Sequence, residues 1–515
     1  MKRNFFKYIM AAAGGFILLA ACSKSFITVD PKGTAVESNY YRNQAEAFNG
    51  LISVYDVVGW QGSMYITKVG MADAASDDHY AGGGGATDVA GLQVMSNYTV
   101  DAAQGPSAEL WQKGFAGVFR ANLLLTKLPG ATMDDNLKKR YAAECKLLRA
   151  HFYFDLIRLF KNVPLITKPL ASSETYSVVQ AAPADVWAQI VKDLQDAIAE
   201  GQLPDKVAGA ELGRVTKGTA HALLGKVYLW QQKYTEAAAE LAEVNGADPA
   251  SGSAKYGYSL LKNFGDLWKS DNASKFNSES IFEISFTSLS GGTWNCVSCT
   301  EGNVLNIMVG PRGYKPTAGA PDYYSGWSFL PVTQDLYDLM HYDPRFKYTI
   351  ADLDSLEKNG IARYDKGYMN TGYFLEKFAA RTSNITKGGG NTELNFGQNM
   401  YEIRLADTYL MEAEALIKAG QGGDAGSRAY KLLNAVRGRV KLPEISATFD
   451  NIMKERRMEL AGEGQRWFDL VRTGLAPTVL GAKGFKANRN EILPIPLQEL
   501  ENTKLEQNKE YGGTK

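Results

Sequence analysis

The chain has 515 residues, 45% hydrophobic and 22% charged, with 56 basic side chains against 56 acidic ones. That length and apolar content can bury a large core, while a net charge of +0 without a long run of either sign excludes nucleic acid or another polyphosphate as a partner. Four cysteines are too few for a disulfide scaffold, so packing must hold the fold.

The first element is an address. Lys2, Arg3 and Lys7 precede an apolar run from Tyr8 to Ala20 that closes on Leu19-Ala20-Ala21-Cys22. The run is too short to span a bilayer with ordinary flanks. A basic start, a short apolar stretch and small residues before a cysteine describe a lipoprotein signal peptide over 1–21, with Cys22 as the lipidated first residue of the mature chain. Acyl chains on Cys22 would hold an otherwise water-exposed body at a membrane.

Beyond the leader most of the chain reads as helix. The spacing predicts helices over 45–57, 108–128 and 136–160. Over 184–201, Trp187, Ile190, Val191, Leu194 and Ile198 recur at three- and four-residue intervals behind Pro183, which a first helical turn tolerates. Residues 217–232 and 235–244 carry one small or apolar face each (Ala220, Leu223, Leu224, Val227, Tyr228; then Ala237, Ala238, Leu241), and their two-residue link predicts an antiparallel hairpin. The pattern returns at 401–419 and 424–439, joined through Gly420, Gly422 and Gly423, with a last helix over 449–472. Helix pairs with small packing residues predict an all-α, tetratricopeptide-like scaffold, a repeat of about 34 residues, interrupted here by long insertions. The expected divisions are the leader 1–21, a helical region 22–246, a loop-rich insertion 247–400 and a C-terminal helical region 401–515.

Function is sought in the insertions, the variable surface of a packed solenoid. The first, 62–105, contains Asp77-Asp78-His79-Tyr80 and the run Gly82 to Gly85. The second has a strand-like piece at 281–286 and a short helix at 333–340, and mixes Gly, Asn, Ser and Pro with Trp268, Trp294, Tyr314, Tyr323, Tyr324 and Trp327. So long a stretch without periodicity is expected to be a folded, functional subdomain.

Catalytic motifs are weak. No Ser-His-Asp set or nucleophile elbow is evident, and the glycine run lacks the Lys and Ser/Thr of a phosphate loop. Asp77, Asp78 and His79 are adjacent and so point apart, which favours a hydrogen-bonded turn; no metal site and no cofactor are predicted. Glu459 and Glu463 share a helix face near Arg456, Arg466 and Asp469, but alternation with Leu460, Trp467 and Leu470 favours a partly buried ion-pair network over acid-base chemistry. His151 and His221 lie among apolar helix positions and read as packing residues. Cys296-Val297-Ser298-Cys299 is a lone C-x-x-C; outside the cytosol it is a local disulfide or two free thiols, the disulfide being favoured.

Six strings in order carry a family resemblance: Phe26-Ile27-Thr28-Val29-Asp30-Pro31; Ala45 to Gly50 leading to Val54-Tyr55-Asp56; Ser76-Asp77-Asp78 with Leu110-Trp111 and Arg120-Ala121-Asn122; Leu147 to Leu156 with Asn162-Val163-Pro164-Leu165; Arg456 to Arg472; and Leu493-Pro494-Ile495-Pro496. Almost end to end, the chain resembles the SusD/RagB family of outer-membrane, nutrient-binding lipoproteins. The resemblance implies a non-catalytic protein, lipid-anchored on the outer membrane and facing the cell exterior. Such a protein binds a glycan and passes it to a SusC-like TonB-dependent transporter. It also places Asp77 and Asp78 where the family's ligand loops begin, as candidates for sugar hydroxyls. A pyranose offers an apolar face and a hydroxyl rim, so aromatic platforms flanked by polar groups are required. Trp294, Trp327, Tyr323 and Tyr324 are the candidate platforms, with Arg312 and Asp322 beside them. Trp294 is the preferred single residue. Two other readings stand: a peptide-capturing relative, and a surface glycan hydrolase using Asp77, Asp78 or the Glu459 helix.

Overall fold

The computed structural model describes residues 40–61, 66–200, 202–296, 299–386 and 388–513. The expected leader 1–21 and the lipidated Cys22 lie outside the described residues. Within them no helix is long and apolar enough to cross a membrane.

Helices dominate. In chain order the scaffold comprises α1 (Gln44–Gly59), α2 (Lys68–Ala75), α3 (Ser107–Lys127), α4 (Asp135–Phe160), α5 (Pro183–Ala199), α6 (Lys217–Trp230) and α7 (Tyr234–Asn245). After the insertion and its short α8 (Gln334–Met340) follow α9 (Leu405–Lys418), α10 (Arg428–Arg439), α11 (Phe449–Glu459) and α12 (Arg466–Arg472). Side-chain caps start several of them: Asp134 accepts from the Asn136 and Leu137 amides, Thr216 from Thr219 and Ser427 from Tyr430. Successive helices pack on one another, α3 on α4, α4 on α5, α6 on α7 and α9 on α10. Helix α7 packs on α9, so the solenoid continues across the insertion as though it were absent. Small residues make these approaches close: a Cβ on Gly117 would lie 2.3 Å from the Phe152 ring, and one on Gly225 2.6 Å from Leu241.

Two expected helices are altered. Residues 400–404 are a strand, β6 (Met400–Arg404), antiparallel to β1 (Ser280–Ile284). All five of its residues are buried, a pattern set by a strand covered on both sides and not by helical periodicity. The expected 449–472 helix breaks into α11 and α12 because Gly462 and Gly464 adopt φ of +74° and +70°, left-handed values that end a helix. Within the insertion β2 (Lys315–Pro316) pairs with β4 (Ala362–Arg363), and β3 (Ile350–Asp352) with β5 (Tyr373–Leu375). These ladders are short, and the architecture is the predicted helical one with a loop-rich insertion.

The insertion is tied to the scaffold by buried charge. Glu459, 0% exposed, accepts from Arg345 at 2.8 Å and Arg404 at 2.6 Å, and pairs with Arg439. Arg404 also reaches Glu463 and Glu279 at 2.8 and 2.9 Å, and Lys377 donates to Glu463 at 2.7 Å. Arg345, Lys377 and Glu279 come from the insertion, and their partners come from β6, α10, α11 and the turn after α11.

Candidate functional site

The insertion presents two indoles side by side. Trp294 is 43% exposed, Trp327 is half-buried, and their ring centroids lie 6.1 Å apart with planes 31° apart. Each rests on a backbone that cannot easily move. The Trp294 amide donates to Asn391 Oδ1 at 3.2 Å, and Asn395 binds the same loop through Gly292, accepting from its N–H at 3.0 Å and donating to its carbonyl at 2.9 Å. Cys296 and Cys299 are joined, so the disulfide expected from the lone C-x-x-C closes the loop just past Trp294. Trp327 sits in a loop segment whose Trp327 and Phe329 amides donate to the Ile307 and Met308 carbonyls at 2.9 and 2.8 Å. Gly326 packs against Gly310 so tightly that a Cβ would fall 2.4 Å from the Gly310 Cα, which explains the glycine before this tryptophan.

Polar groups border the pair. Arg312 Nη2 donates to the Trp327 carbonyl at 2.9 Å and lies 3.7 Å from Asp88 Oδ2. The Gly82–Gly85 run reaches this segment through the Gly83 amide, which donates to the Ser328 carbonyl at 2.8 Å. Gly82 has φ +69° with no room for a Cβ, 2.4 Å from the Ser328 oxygen, so glycine is required there. Tyr324 is half-buried, edge-on to Phe396 at 5.8 Å, and burial raises its phenol pKa.

Three expected site residues are placed elsewhere. Asp77 accepts both Arg466 contacts at 2.8 Å and Asp78, 1% exposed, accepts from Arg457 Nε at 2.7 Å. They join the first insertion to α11 and α12 and turn no carboxylate to a ligand; this corrects their reading as sugar contacts. Tyr323 is 6% exposed, donates to Glu376 at 2.6 Å and packs on Tyr314, so it is core and not platform. Glu459 and Glu463 are equally enclosed, matching the ion-pair reading. Asp88 carried no sequence signal; the glycine run's fold alone brings it beside Arg312.

His151, Asp155 and Glu402 converge within 4.8 Å in the scaffold, a geometry a cation could use. The carboxylates there already hold an ammonium: Lys68 Nζ lies 2.9 Å from Asp155 and 2.5 Å from Glu402. His151 stacks edge-on to Phe282, as a packing residue does.

A helical-repeat scaffold that displays a braced aromatic pair on an inserted loop region defines a ligand-binding protein of the solenoid type. Comparison with known proteins makes the class specific. Residues 278–511 match the model described as the SusD family, and residues 58–229 match one described as starch-binding associating with outer membrane. The chain belongs to the SusD family. It is 51% identical to a solved laminarin binding SusD-like protein, covering 91% of this chain and 99% of that one, with a TM-score of 0.86. It is 27% identical to surface glycan-binding protein A from Bacteroides thetaiotaomicron, solved in complex with laminarihexaose, covering 89% and 97% of the two chains with a TM-score of 0.78. A SusD-like protein of Bacteroides ovatus is 26% identical, with 90% of this chain and 82% of that one covered.

Proposed function

We propose that this protein is a non-catalytic lipoprotein of the outer membrane that captures a nutrient glycan at the cell exterior and delivers it to a SusC-like TonB-dependent transporter. The observation that carries the reading is the Trp294–Trp327 pair, half-exposed and braced from beneath, with donor and acceptor side chains at its border. Two indoles tilted by 31° offer stacking faces to successive or adjacent sugar rings. The similarity to a laminarin binding SusD-like protein and to one solved with laminarihexaose supports laminarin, a β-1,3-glucan, as the ligand. Burial and ion pairing of Glu459 and Glu463 argue against the hydrolase alternative, because a catalytic acid must reach its substrate. Tethering rests on the Cys22 signal, placement at the outer membrane on the matched family description, and delivery to a transporter on the resemblance to the SusD/RagB family.

The test is affinity electrophoresis of the chain from Ser23 onward through gels containing laminarin and a panel of other polysaccharides, with Trp294→Ala alongside. Retardation by laminarin that falls at least about tenfold in the variant, roughly 1.4 kcal/mol, is expected. No retardation in any gel defeats the glycan reading and favours peptide cargo, which would bind through main-chain hydrogen bonds.

A further inference from the structure

We propose that Asp88 is a specificity residue of the aromatic surface: by cancelling the Arg312 guanidinium at the edge of Trp327, it restricts that surface to uncharged glycans. The inference rests on the glycan reading above and names the chemical class of glycan and the residue that selects it.

Arg312 is tied to the Trp327 backbone by its Nη2 bond to that carbonyl, yet its side chain stays 38% exposed. It is a cation open to solvent next to the Trp327 segment. A lone arginine in that position would favour carboxylated or sulfated sugars, since charge-assisted and bidentate bonds to oxyanions are the strong ones. Asp88 stands 3.7 Å from Nη2 and is 39% exposed. A pair so open contributes little to stability. Its carboxylate is nevertheless placed with care. Oδ2 accepts from the Gly84 amide at 2.7 Å, and Gly83 packs so closely that a Cβ would meet the Phe329 ring at 2.5 Å. The glycine run therefore brings a carboxylate to the platform edge at a point where core packing does not need one.

Charge pairing recurs elsewhere in the insertion. Arg381 pairs with Asp322 at 3.0 Å and also with Glu376. Glu393, near enough to Tyr324 to act on its phenol, adds a further negative charge. A polyanion would meet carboxylates at each guanidinium, whereas one neutral ring can donate a hydroxyl to Asp88 and accept from Arg312 with an adjacent one. Like charges set against the wrong ligand are a common source of specificity.

The experiment uses the full chain in detergent micelles and two polymers with one backbone: a neutral β-1,3-glucan and its lightly carboxymethylated form, each run against wild type, Asp88→Asn, Arg312→Gln and Trp294→Ala. Asparagine keeps an oxygen for the Gly84 amide and removes only the charge. Wild type is expected to prefer the neutral polymer by about tenfold or more at low ionic strength. Asp88→Asn should narrow that preference at least about fivefold by gaining affinity for the charged polymer, a gain that salt abolishes. Arg312→Gln should weaken the neutral polymer and widen the preference. A structural role for Asp88 would lower affinity for both polymers together and would not move the ratio. The proposal is overturned if Asp88→Asn keeps the wild-type ratio within about twofold, if Arg312→Gln narrows it, or if wild type binds both polymers alike. If wild type binds neither, or Trp294→Ala changes nothing, the glycan reading itself fails and the charge filter goes with it.

Discussion

His79 is fully buried, with Nδ1 3.0 Å from the Leu330 carbonyl and Nε2 without a partner, and burial pushes its pKa down to about 4. His151 is lowered to about 4 for the same first reason. A depressed histidine pKa means the folded state holds the neutral ring while the unfolded chain takes up a proton below about 6.5. Stability from each is therefore complete above pH 6.5 and lost as pH falls from 6.5 towards 4, by about 3 kcal/mol per residue. His79→Gln should remove one proton from the pH dependence of unfolding in that window, read by denaturant titrations at several pH values; an unchanged slope would show that His79 takes up its proton alike in the folded and unfolded states. The aromatic residues differ at the same scale. Trp294 and Tyr323 both read as platforms, with Trp294 preferred, and 43% against 6% exposure separates them, because Tyr323 packs inward to bond the Glu376 carboxylate.

The Trp294 loop is an element with its own rigidity. Asn391, Asn395 and the Cys296–Cys299 bridge fix its backbone before any ligand arrives, which reduces the ordering entropy that binding would otherwise cost. So short a covalent loop constrains the unfolded chain little. Cys296→Ser with Cys299→Ser is accordingly expected to lower affinity for laminarin severalfold while shifting the melting temperature by only a few degrees. Equal affinity by calorimetry would leave the bridge without a role in binding. Among the helices, Gly117 belongs to a packing contact and not a turn. Gly117→Leu would drive a side chain into Phe152, and overpacking of this kind costs about 1–3 kcal/mol, measurable as a lowered unfolding midpoint.

Across the molecule, the buried ion network adds to an apolar core that runs from the scaffold into the insertion through residues such as Phe282, Leu305, Phe329 and Leu394. Glu459 alone faces Arg345, Arg404 and Arg439, and their guanidinium groups hold its pKa well below the usual carboxylate range against the cost of burial. Removing one partner of such a set strands the others, at roughly 3–5 kcal/mol. Glu459→Gln should therefore destabilise the whole chain by that amount, and urea titration followed by circular dichroism would show it. A variant as stable as wild type would mean that the network is neutral. Because Arg345 and Lys377 leave the insertion to enter this network, the aromatic surface is carried rigidly on the solenoid.

Much of this was legible in the linear pattern. Helical periodicity from Gln44 to Asn245 marked the helical pairs, since an amphipathic face repeats locally along the chain whatever it later packs against. The late Glu-Arg block read as an ion network because charges alternate there with large apolar residues. The C-x-x-C read as a bridge in preference to free thiols because it stands alone, without further zinc ligands, in a chain expected outside the cytosol. The strand at Met400–Arg404 did not, because its fully buried run carries no period and its partner lies more than a hundred residues away. Nor did the fates of Asp77, Asp78 and Tyr323, or the pairing of Asp88 with Arg312: a polar residue's role depends on which distant charge the fold sets beside it, and only the tertiary structure decides that.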